Sequence, residues 1–228
     1  MIHGYSAEQV RAAEAPHLAA GEPLMRRAAA ALAAELRRVL SEAGAADGPV
    51  VLLVGSGDNG GDALFAGAEL AGDGVDVSAV AASDRMHADG AAAARAAGVR
   101  ILGGAGEGAE VDHALRSAAV VVDGILGTGT SAAPALRGPA RELVAAAIPI
   151  VRDRGVPVVA VDLPSGIHPD DGSVPDPTVL PATLTVTFGA VKAGLLLEPA
   201  AGYAGRVELV DLGLGPDLAS VTPLVSVP

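Results

Sequence analysis

Short apolar runs alternate with longer segments of helical periodicity along most of the chain. Apolar runs bounded by glycine, proline or charged residues are typical of buried β-strands. We predict strands at residues 50–54, 75–81, 100–102, 119–123, 157–162, 183–188 and 206–210.

Apolar residues at three- and four-residue spacing predict helices around these strands. Ser6 and Gln9 form a capping box that opens a helix near the N-terminus. Pro149 is expected to end or kink the last predicted helix, because proline lacks a backbone donor. The other predicted helices cover residues 24–40, 62–71, 88–97, 110–117 and 139–153.

This alternation predicts an α/β protein with a mostly parallel sheet covered on both faces. The 228 residues are enough for one large domain, and no shift in composition marks a boundary. We therefore treat residues 1–228 as a single domain, in which residues 215–228 are a weakly patterned C-terminal tail.

The charge and the composition argue against several classes of protein. A net charge of −12 argues against nucleic acid as a partner. The absence of cysteine excludes disulfides and thiolate metal sites, and agrees with a cytoplasmic location. No apolar run reaches the roughly 18 residues of a membrane helix, and the N-terminal residues lack the pattern of a signal peptide.

Three polar segments follow three of the predicted strands: residues 55–62, 123–130 and 162–166. Ligands of an open parallel sheet bind beyond the carboxyl ends of its strands, so we expect the fold to bring these segments onto one edge. The first is a glycine-rich turn into a helix, where backbone N–H groups can bind an anion. It is neither a GxGxxG nor a P-loop sequence.

The polar groups in these segments indicate the chemistry. Asn59, Asp123 and Ser165 offer hard oxygen ligands that suit K⁺, Na⁺, Mg²⁺ or Ca²⁺. The backbone of residues 127–133 can donate to a phosphate, and Asp162 is a candidate general acid or base. Each aspartate alone has an ordinary alternative, as a cap or an Asx turn, and Asp62 is expected to serve in part as a helix N-cap.

In these motifs the sequence resembles the NAD(P)HX epimerase family. That family has an N-N-G-G-D turn, a D-x-x-x-G-T-G segment and a D-x-P-S-G segment, in this order. Here they stand as Asp58-Asn59-Gly60-Gly61-Asp62, as residues 123–129 and as residues 162–166. The likeness extends to Leu24-Met25, to Thr187-Phe188-Gly189 and to residues 210–213, so it covers nearly the whole chain.

The resemblance implies a Rossmann-like three-layer α/β/α sandwich, often dimeric, so we expect a homodimer. Members of the family interconvert the R and S epimers of NADHX and NADPHX, which are hydrated forms of the reduced nicotinamide cofactors. A dehydratase that depends on ADP or ATP uses only the S form. We therefore expect functional coupling to such a dehydratase, as a separate protein or as a fused domain.

The family's functional residues carry over by position. Its K⁺ ligands correspond to Asn59, Asp123 and Ser165. Asp162 corresponds to its substrate-contacting aspartate, which we expect to be the catalytic acid and base. The segments that bind the hydrated cofactor correspond to Asp58, Asn59, Gly60, Gly61 and Asp62, and to Gly127, Thr128, Gly129, Thr130, Ser131, Ala132 and Ala133.

The chain departs from the family's pattern near the expected phosphate. Asp58 replaces an asparagine and adds a negative charge, Ala63 replaces a glycine, and the following helix lacks the usual basic residue. Phosphate binding would then depend on backbone donors and a cation. Lys192, the only lysine, is either a contact of the phosphate or an ordinary surface residue.

Two other classes of protein remain open. One is a catalytically silent nucleotide-binding or scaffold protein on the same fold, which Asp58 and the missing basic residue favour. The other is an NAD(P)-dependent oxidoreductase. It has little support, because the chain lacks GxGxxG and offers no acid except Asp84 in a place to bind a ribose.

Overall fold

The computed structural model describes residues 1–103, 108–130 and 133–228. Its strands are β1 (Ile2–Gly4), β2 (Val50–Val54), β3 (Val77–Ala81), β4 (Arg100–Leu102), β5 (Val120–Gly124), β6 (Val158–Val161), β7 (Leu184–Phe188), β8 (Arg206–Val210) and β9 (Val225–Val227). Its α-helices are α1 (Ala7–Ala19), α2 (Leu24–Glu42), α3 (Asp58–Gly72), α4 (Ala88–Ala96), α5 (Gly108–Ser117), α6 (Gly138–Arg154), α7 (Ala201–Ala204) and α8 (Gly215–Leu218). Short 3₁₀ helices cover Thr128–Thr130 and Ala193–Leu196.

Strands β2 to β8 form one sheet in the order β4-β3-β2-β5-β6-β7-β8, and all neighbours are parallel. After β2 the chain forms β3 and then β4 on one side of β2. It then returns, so that β5 lies on the other side of β2. The strand order therefore reverses between β2 and β5, which is the kind of position where open α/β sheets bind ligands. The predicted α/β fold with a parallel central sheet is confirmed.

Alternate residues of the strands pack into two separate cores, because successive side chains of a strand point to opposite faces. In β2, Val50, Leu52 and Val54 belong to the first core, and Val51 and Leu53 belong to the second. Apolar residues of α2, α3 and α4 complete the first core, and those of α5 and α6 complete the second. Helices thus cover both faces, which explains why the central strands β2 and β6 are apolar throughout.

The first helix after the glycine-rich segment starts earlier than predicted. Helix α3 begins at Asp58, with Gly57 as its N-cap. Glycine at position 60 allows this start, because a Cβ there would lie 2.2 Å from the carbonyl oxygen of Gly55. The prediction that Asp62 is an N-cap is therefore wrong: Asp62 lies inside the helix, one turn beyond its start.

Of the two alternatives for Pro149, that it ends its helix is excluded, and the C-terminal tail has more regular structure than its sequence pattern indicates. Helix α6 continues past Pro149 to Arg154 and ends at Gly155, because Ile150 and Val151 are buried in the second core and favour continuation. The tail has regular structure, since α8 lies in it and β9 pairs with β1 in an antiparallel sheet. No α-helix within the described residues is long and apolar enough to cross a membrane.

Candidate active site

The three polar motifs meet at the carboxyl ends of β2, β5 and β6, which are neighbours in the sheet. A cleft opens at this edge, between the sheet and helices α1, α2 and α3. Five of the predicted site residues line it: Asp58, Asn59, Asp62, Thr128 and Asp162. The fold therefore brings together segments that are far apart in the sequence, as we expected.

Asn59 connects the first motif to the other two. Its side chain is buried in the first turn of α3, and Nδ2 donates to the carbonyl oxygens of Leu126, at 3.2 Å, and of Val161. The opposite side of the amide is close to Gly127, where a Cβ would lie 2.4 Å from Asn59 Oδ1. Glycine at position 127 is thus required for the approach of the two segments.

Asp123 and Ser165 form a buried pair next to Asn59. The Asp123 carboxylate accepts from Ser165 Oγ at 2.6 Å, from Ser165 N at 2.8 Å and from Ile125 N at 3.3 Å. Ser165 Oγ in turn accepts from Leu126 N at 2.8 Å. Burial raises the pKa of the Asp123 carboxyl above its usual range, and these hydrogen bonds oppose part of that rise.

The chemistry of this group fits a hard cation. Asn59, Asp123 and Ser165 supply amide, carboxylate and hydroxyl oxygens, which are ligands of this class of ion. Asp123 has no exposed surface, and its partners in the described part of the chain are all uncharged. A buried carboxylate without a charged partner is costly, and a bound cation would offset that cost.

Asp162 follows β6 in a backbone conformation that is rare outside glycine, with φ at 68°. Unfavourable backbone geometry of this kind is concentrated at functional sites. The turn directs the carboxylate to the end of β7, where Oδ1 accepts from Lys192 Nζ, from Thr187 Oγ1 at 3.1 Å and from Phe188 N at 3.2 Å. All of its hydrogen bonds with described residues go to Oδ1, so Oδ2 is available to a ligand.

Lys192 is not a surface residue, so that expectation is wrong; it lines the cleft instead. It is 2% exposed, and its ammonium group pairs with Asp162 and donates to the Phe188 carbonyl at 2.8 Å. A buried lysine needs such a partner. One signal of this role is present in the sequence, because Lys192 is the only lysine in an arginine-rich chain.

A second group of carboxyl groups lines the same cleft. Burial raises the pKa of Asp62 well above its usual range, and the nearby charges of Asp162, Asp58 and Glu14 raise this pKa further. Burial likewise raises the pKa of Glu14, on α1, although Lys192 opposes that rise. Sequence analysis did not identify Glu14, since nothing in its own segment places α1 over the sheet edge.

The loop after β5 lies at the mouth of the cleft. Arg11 of α1 donates from Nη1 to the carbonyl oxygen of Thr128 at 3.4 Å, and thereby brings a cation to the edge of this loop. A basic residue was expected in α3, and the sequence did not indicate that α1 supplies one instead. Among the other predicted residues, Gly60 and Gly61 are buried, Gly129 and Ala133 are exposed, and Ser131 and Ala132 lie outside the described residues.

These features define a class of protein: a Rossmann-like α/β sandwich with a cleft lined by carboxyl groups at the switch point of its sheet. A model of the family described as YjeF-related protein N-terminus matches residues 21–194. The fold is similar to the crystal structure of yeast YNL200c, with a TM-score of 0.76 and 17% identity over 99% of this chain and 96% of that one.

Relatives of higher identity carry the name of an activity. An NAD(P)H-hydrate epimerase of Clavibacter michiganensis is 56% identical over 97% of this chain and 94% of its own. One of Microbacterium testaceum is 48% identical over 99% of this chain and 84% of its own. A bifunctional NAD(P)H-hydrate repair enzyme of Mycobacterium tuberculosis is 41% identical over 96% of this chain and 43% of its own. The chain therefore belongs to the NAD(P)H-hydrate epimerase family, as its three motifs predicted.

Proposed function

We propose that this protein interconverts the R and S epimers of NADHX and NADPHX and so serves cofactor repair. The observation that carries the proposal is the 56% identity to an NAD(P)H-hydrate epimerase over 97% of the chain. The cleft supports it, because the carboxylate of Asp162 and the N-terminus of α3 both face the same space.

The pyrophosphate of the substrate would lie at the first turn of α3. Unpaired N–H groups and the helix dipole favour an anion at such a position. Asp58 lies in this turn and opposes the binding of an anion, whereas Arg11, at the mouth of the cleft, favours it. The positive group that the sequence lacks in α3 is thus supplied from α1.

The hydrated ring would lie beside Asp162, against apolar side chains such as Val10, Met25 and Phe188. Epimerisation requires a proton for the oxygen that leaves C6 and removal of a proton from the oxygen that arrives. Asp162 Oδ2 is placed to hold or accept such a proton, while Oδ1 is fixed by its bonds to Lys192. General acid–base catalysis of this kind contributes roughly 10²–10⁴ in rate.

We also propose that K⁺ is held by Asn59, Asp123 and Ser165. Bound there, the ion supplies positive charge that holds the three loops together and offsets the buried Asp123 carboxylate. This expectation rests on the oxygen donors and on the absence of a charged partner for Asp123 within the described part. The ion would organise the site, and the proton transfers are made by side chains.

The decisive experiment is an epimer-exchange assay. A mixture enriched in one epimer of NADPHX is incubated with the protein, with and without K⁺, and the R and S forms are separated by chromatography. Exchange that is fast in K⁺ and slow in its absence is expected. Binding without exchange, seen as a melting temperature that rises with NADPHX, would instead favour the catalytically silent protein.

Two expectations about partners are retained as proposals. The Mycobacterium tuberculosis relative is named bifunctional, and this chain matches 43% of its length, which agrees with coupling to a second repair activity such as the ADP- or ATP-dependent dehydratase. A homodimer is the expected assembly. Sedimentation of the purified chain tests the dimer, and addition of the dehydratase to the exchange assay tests the coupling.

A further inference from the structure

Asp62 is buried, and one of its two oxygens is left without a partner. The side chain is 6% exposed, and within the described residues Oδ1 has no hydrogen bond. Buried polar atoms almost always have a partner, so an exception requires an explanation. Because Asp62 also lines the cleft, we expect its carboxyl group to interact with a ligand bound there.

The surroundings of Asp62 differ from those of Asp162. Asp162 is paired with Lys192 and accepts further hydrogen bonds from Thr187 and Phe188. Asp62 has no ion pair in the described part of the chain, and its neighbours in the cleft include the carboxyl groups of Asp58 and Glu14. Burial and these charges raise the pKa of Asp62, which favours a neutral acid that can donate a proton.

We propose that Asp62 is a second catalytic residue, which transfers a proton to and from the substrate hydroxyl from α3 while Asp162 does so from the end of β6. The inference rests on the proposed epimerase function. It assigns the two proton transfers of the reaction to two different carboxyl groups, one that donates a proton and one that accepts it.

Asp62 gives its proton to the C6 hydroxyl oxygen, the C6–O bond breaks, water leaves with the electron pair, and the ring nitrogen's lone pair forms a double bond to C6. Water then adds to the opposite face of C6, the pair returns to nitrogen, and Asp162 accepts the proton that the water loses. One proton has moved from Asp62 to Asp162, and exchange with solvent restores both groups.

The test compares Asp62→Asn with a matched change on the same helix. Glu69→Gln also removes one carboxyl group from α3, but Glu69 is exposed and lies near Arg37, outside the cleft. We expect Asp62→Asn to lower the exchange rate by roughly 10²–10⁴ while NADPHX still raises its melting temperature, and Glu69→Gln to exchange like the wild type.

A second variant separates proton transfer from a structural role. Asp62→Ala leaves a space at the cleft in which formate can replace the missing carboxyl group. Exchange by this variant should increase with formate concentration, whereas formate should leave the wild type unchanged. If Asp62→Asn does not fold, Asp62→Glu replaces it, and this variant must retain exchange because it keeps an acid.

The outcomes separate the two proposals. A wild type without exchange overturns the epimerase function and this inference with it. A wild type with exchange and an Asp62→Asn variant of equal rate overturns only the role of Asp62. Loss of NADPHX binding by Asp62→Asn, or no response of Asp62→Ala to formate, also overturns that role.

Discussion

Two buried carboxyl groups at the same edge of the sheet have opposite surroundings. Asp123 accepts three hydrogen bonds from Ser165 and Ile125 and belongs to the loop network. Asp62, at the first turns of α3, has an oxygen with no partner in the described part of the molecule. Burial raises the pKa of both groups, so burial alone does not distinguish them.

The difference lies in what each group still lacks. Asp123 lacks a counter-charge but no hydrogen bond, which suits an ion site that holds loops in place. Asp62 lacks a hydrogen bond and faces a cleft, which suits contact with a substrate. A satisfied network makes structure rigid, whereas an unsatisfied group is a candidate for chemistry. Substitutions at the two positions should therefore have different effects: loss of exchange activity at Asp62 and loss of stability at Asp123.

The largest effect is expected at Asp162, the third carboxyl group of this edge. Asp162→Asn removes the proton acceptor and should lower epimer exchange by roughly 10²–10⁴. It also leaves Lys192 buried without its carboxylate, which should lower the free energy of unfolding by about 3–5 kcal/mol. Exchange assays and urea unfolding measure the two effects.

The two effects can be separated with a double variant. Asp162→Asn combined with Lys192→Met removes the unpaired ammonium group and replaces it with an apolar chain of similar length. The double variant should regain most of the stability but none of the exchange activity. Recovery of exchange would show that Asp162 acts through the position of Lys192 and not on the substrate.

The next effect is expected in the loop network. Asp123→Asn leaves at least one donor of Ser165 without its acceptor, and this should lower the free energy of unfolding by about 1–3 kcal/mol. If the network holds K⁺, the wild type should melt at a higher temperature in KCl than in choline chloride, and the variant should not. An equal response of the two proteins to K⁺ would contradict the proposed ion site.

The sequence predicted the sheet and the meeting of the three motifs because both follow from local patterns. Apolar runs identified β2 and β5 to β8, and strand ends placed the polar segments. The early start of α3 was missed, since glycine there favours a turn locally. What allows helix instead is the close approach of Gly60 to Gly55, which only the folded chain shows.

The rest of the site depends on long-range contacts that no local pattern contains. Glu14 and Arg11 belong to α1, and nothing in their segment indicates that this helix lies over the sheet edge. Lys192 meets Asp162 only because β6 and β7 are neighbours and the backbone at position 162 turns back toward β7. Functional groups at strand ends could therefore be predicted from the sequence, whereas those on α1 and after β7 could not.

A smaller effect is expected for Asp62→Asn, which should raise the free energy of unfolding, whereas Asp162→Asn and Asp123→Asn should lower it. Burial raises the pKa of Asp62 above its ordinary value of 3.8, so the wild type loses stability as pH rises from that value to the folded-state pKa. Neutral asparagine avoids this loss. The variant should melt about 2–4 °C above the wild type at pH 7, for a gain of roughly 1 kcal/mol, and should match it at pH 3.

In that comparison Glu69→Gln serves as the control, since the exposed Glu69 is on the same helix. It should show no pH-dependent difference from the wild type. A melting temperature of Asp62→Asn below that of the wild type at pH 7 would mean that Asp62 has a structural partner. Asp62 would then have a structural role like that of Asp123, and the contrast between the two carboxyl groups would be wrong.

The smallest effect is expected at a partly exposed charge cluster, where solvent screens the interaction. His17, near the end of α1, contacts Asp217 of α8 at 3.0 Å and Glu22 at 2.9 Å. Hydrogen bonds to Asp217 and then Glu22 raise the pKa of His17 above 6.5, so its contribution is complete below pH 6.5 and is lost as pH rises through the raised value. His17→Gln should flatten the fall in melting temperature as pH rises above 6.5, whereas His113→Gln, at an exposed position of α5, should leave that slope unchanged. An unchanged slope in His17→Gln would mean that α1 is held over the cleft by its apolar contacts alone, and that charge matters only at the buried positions.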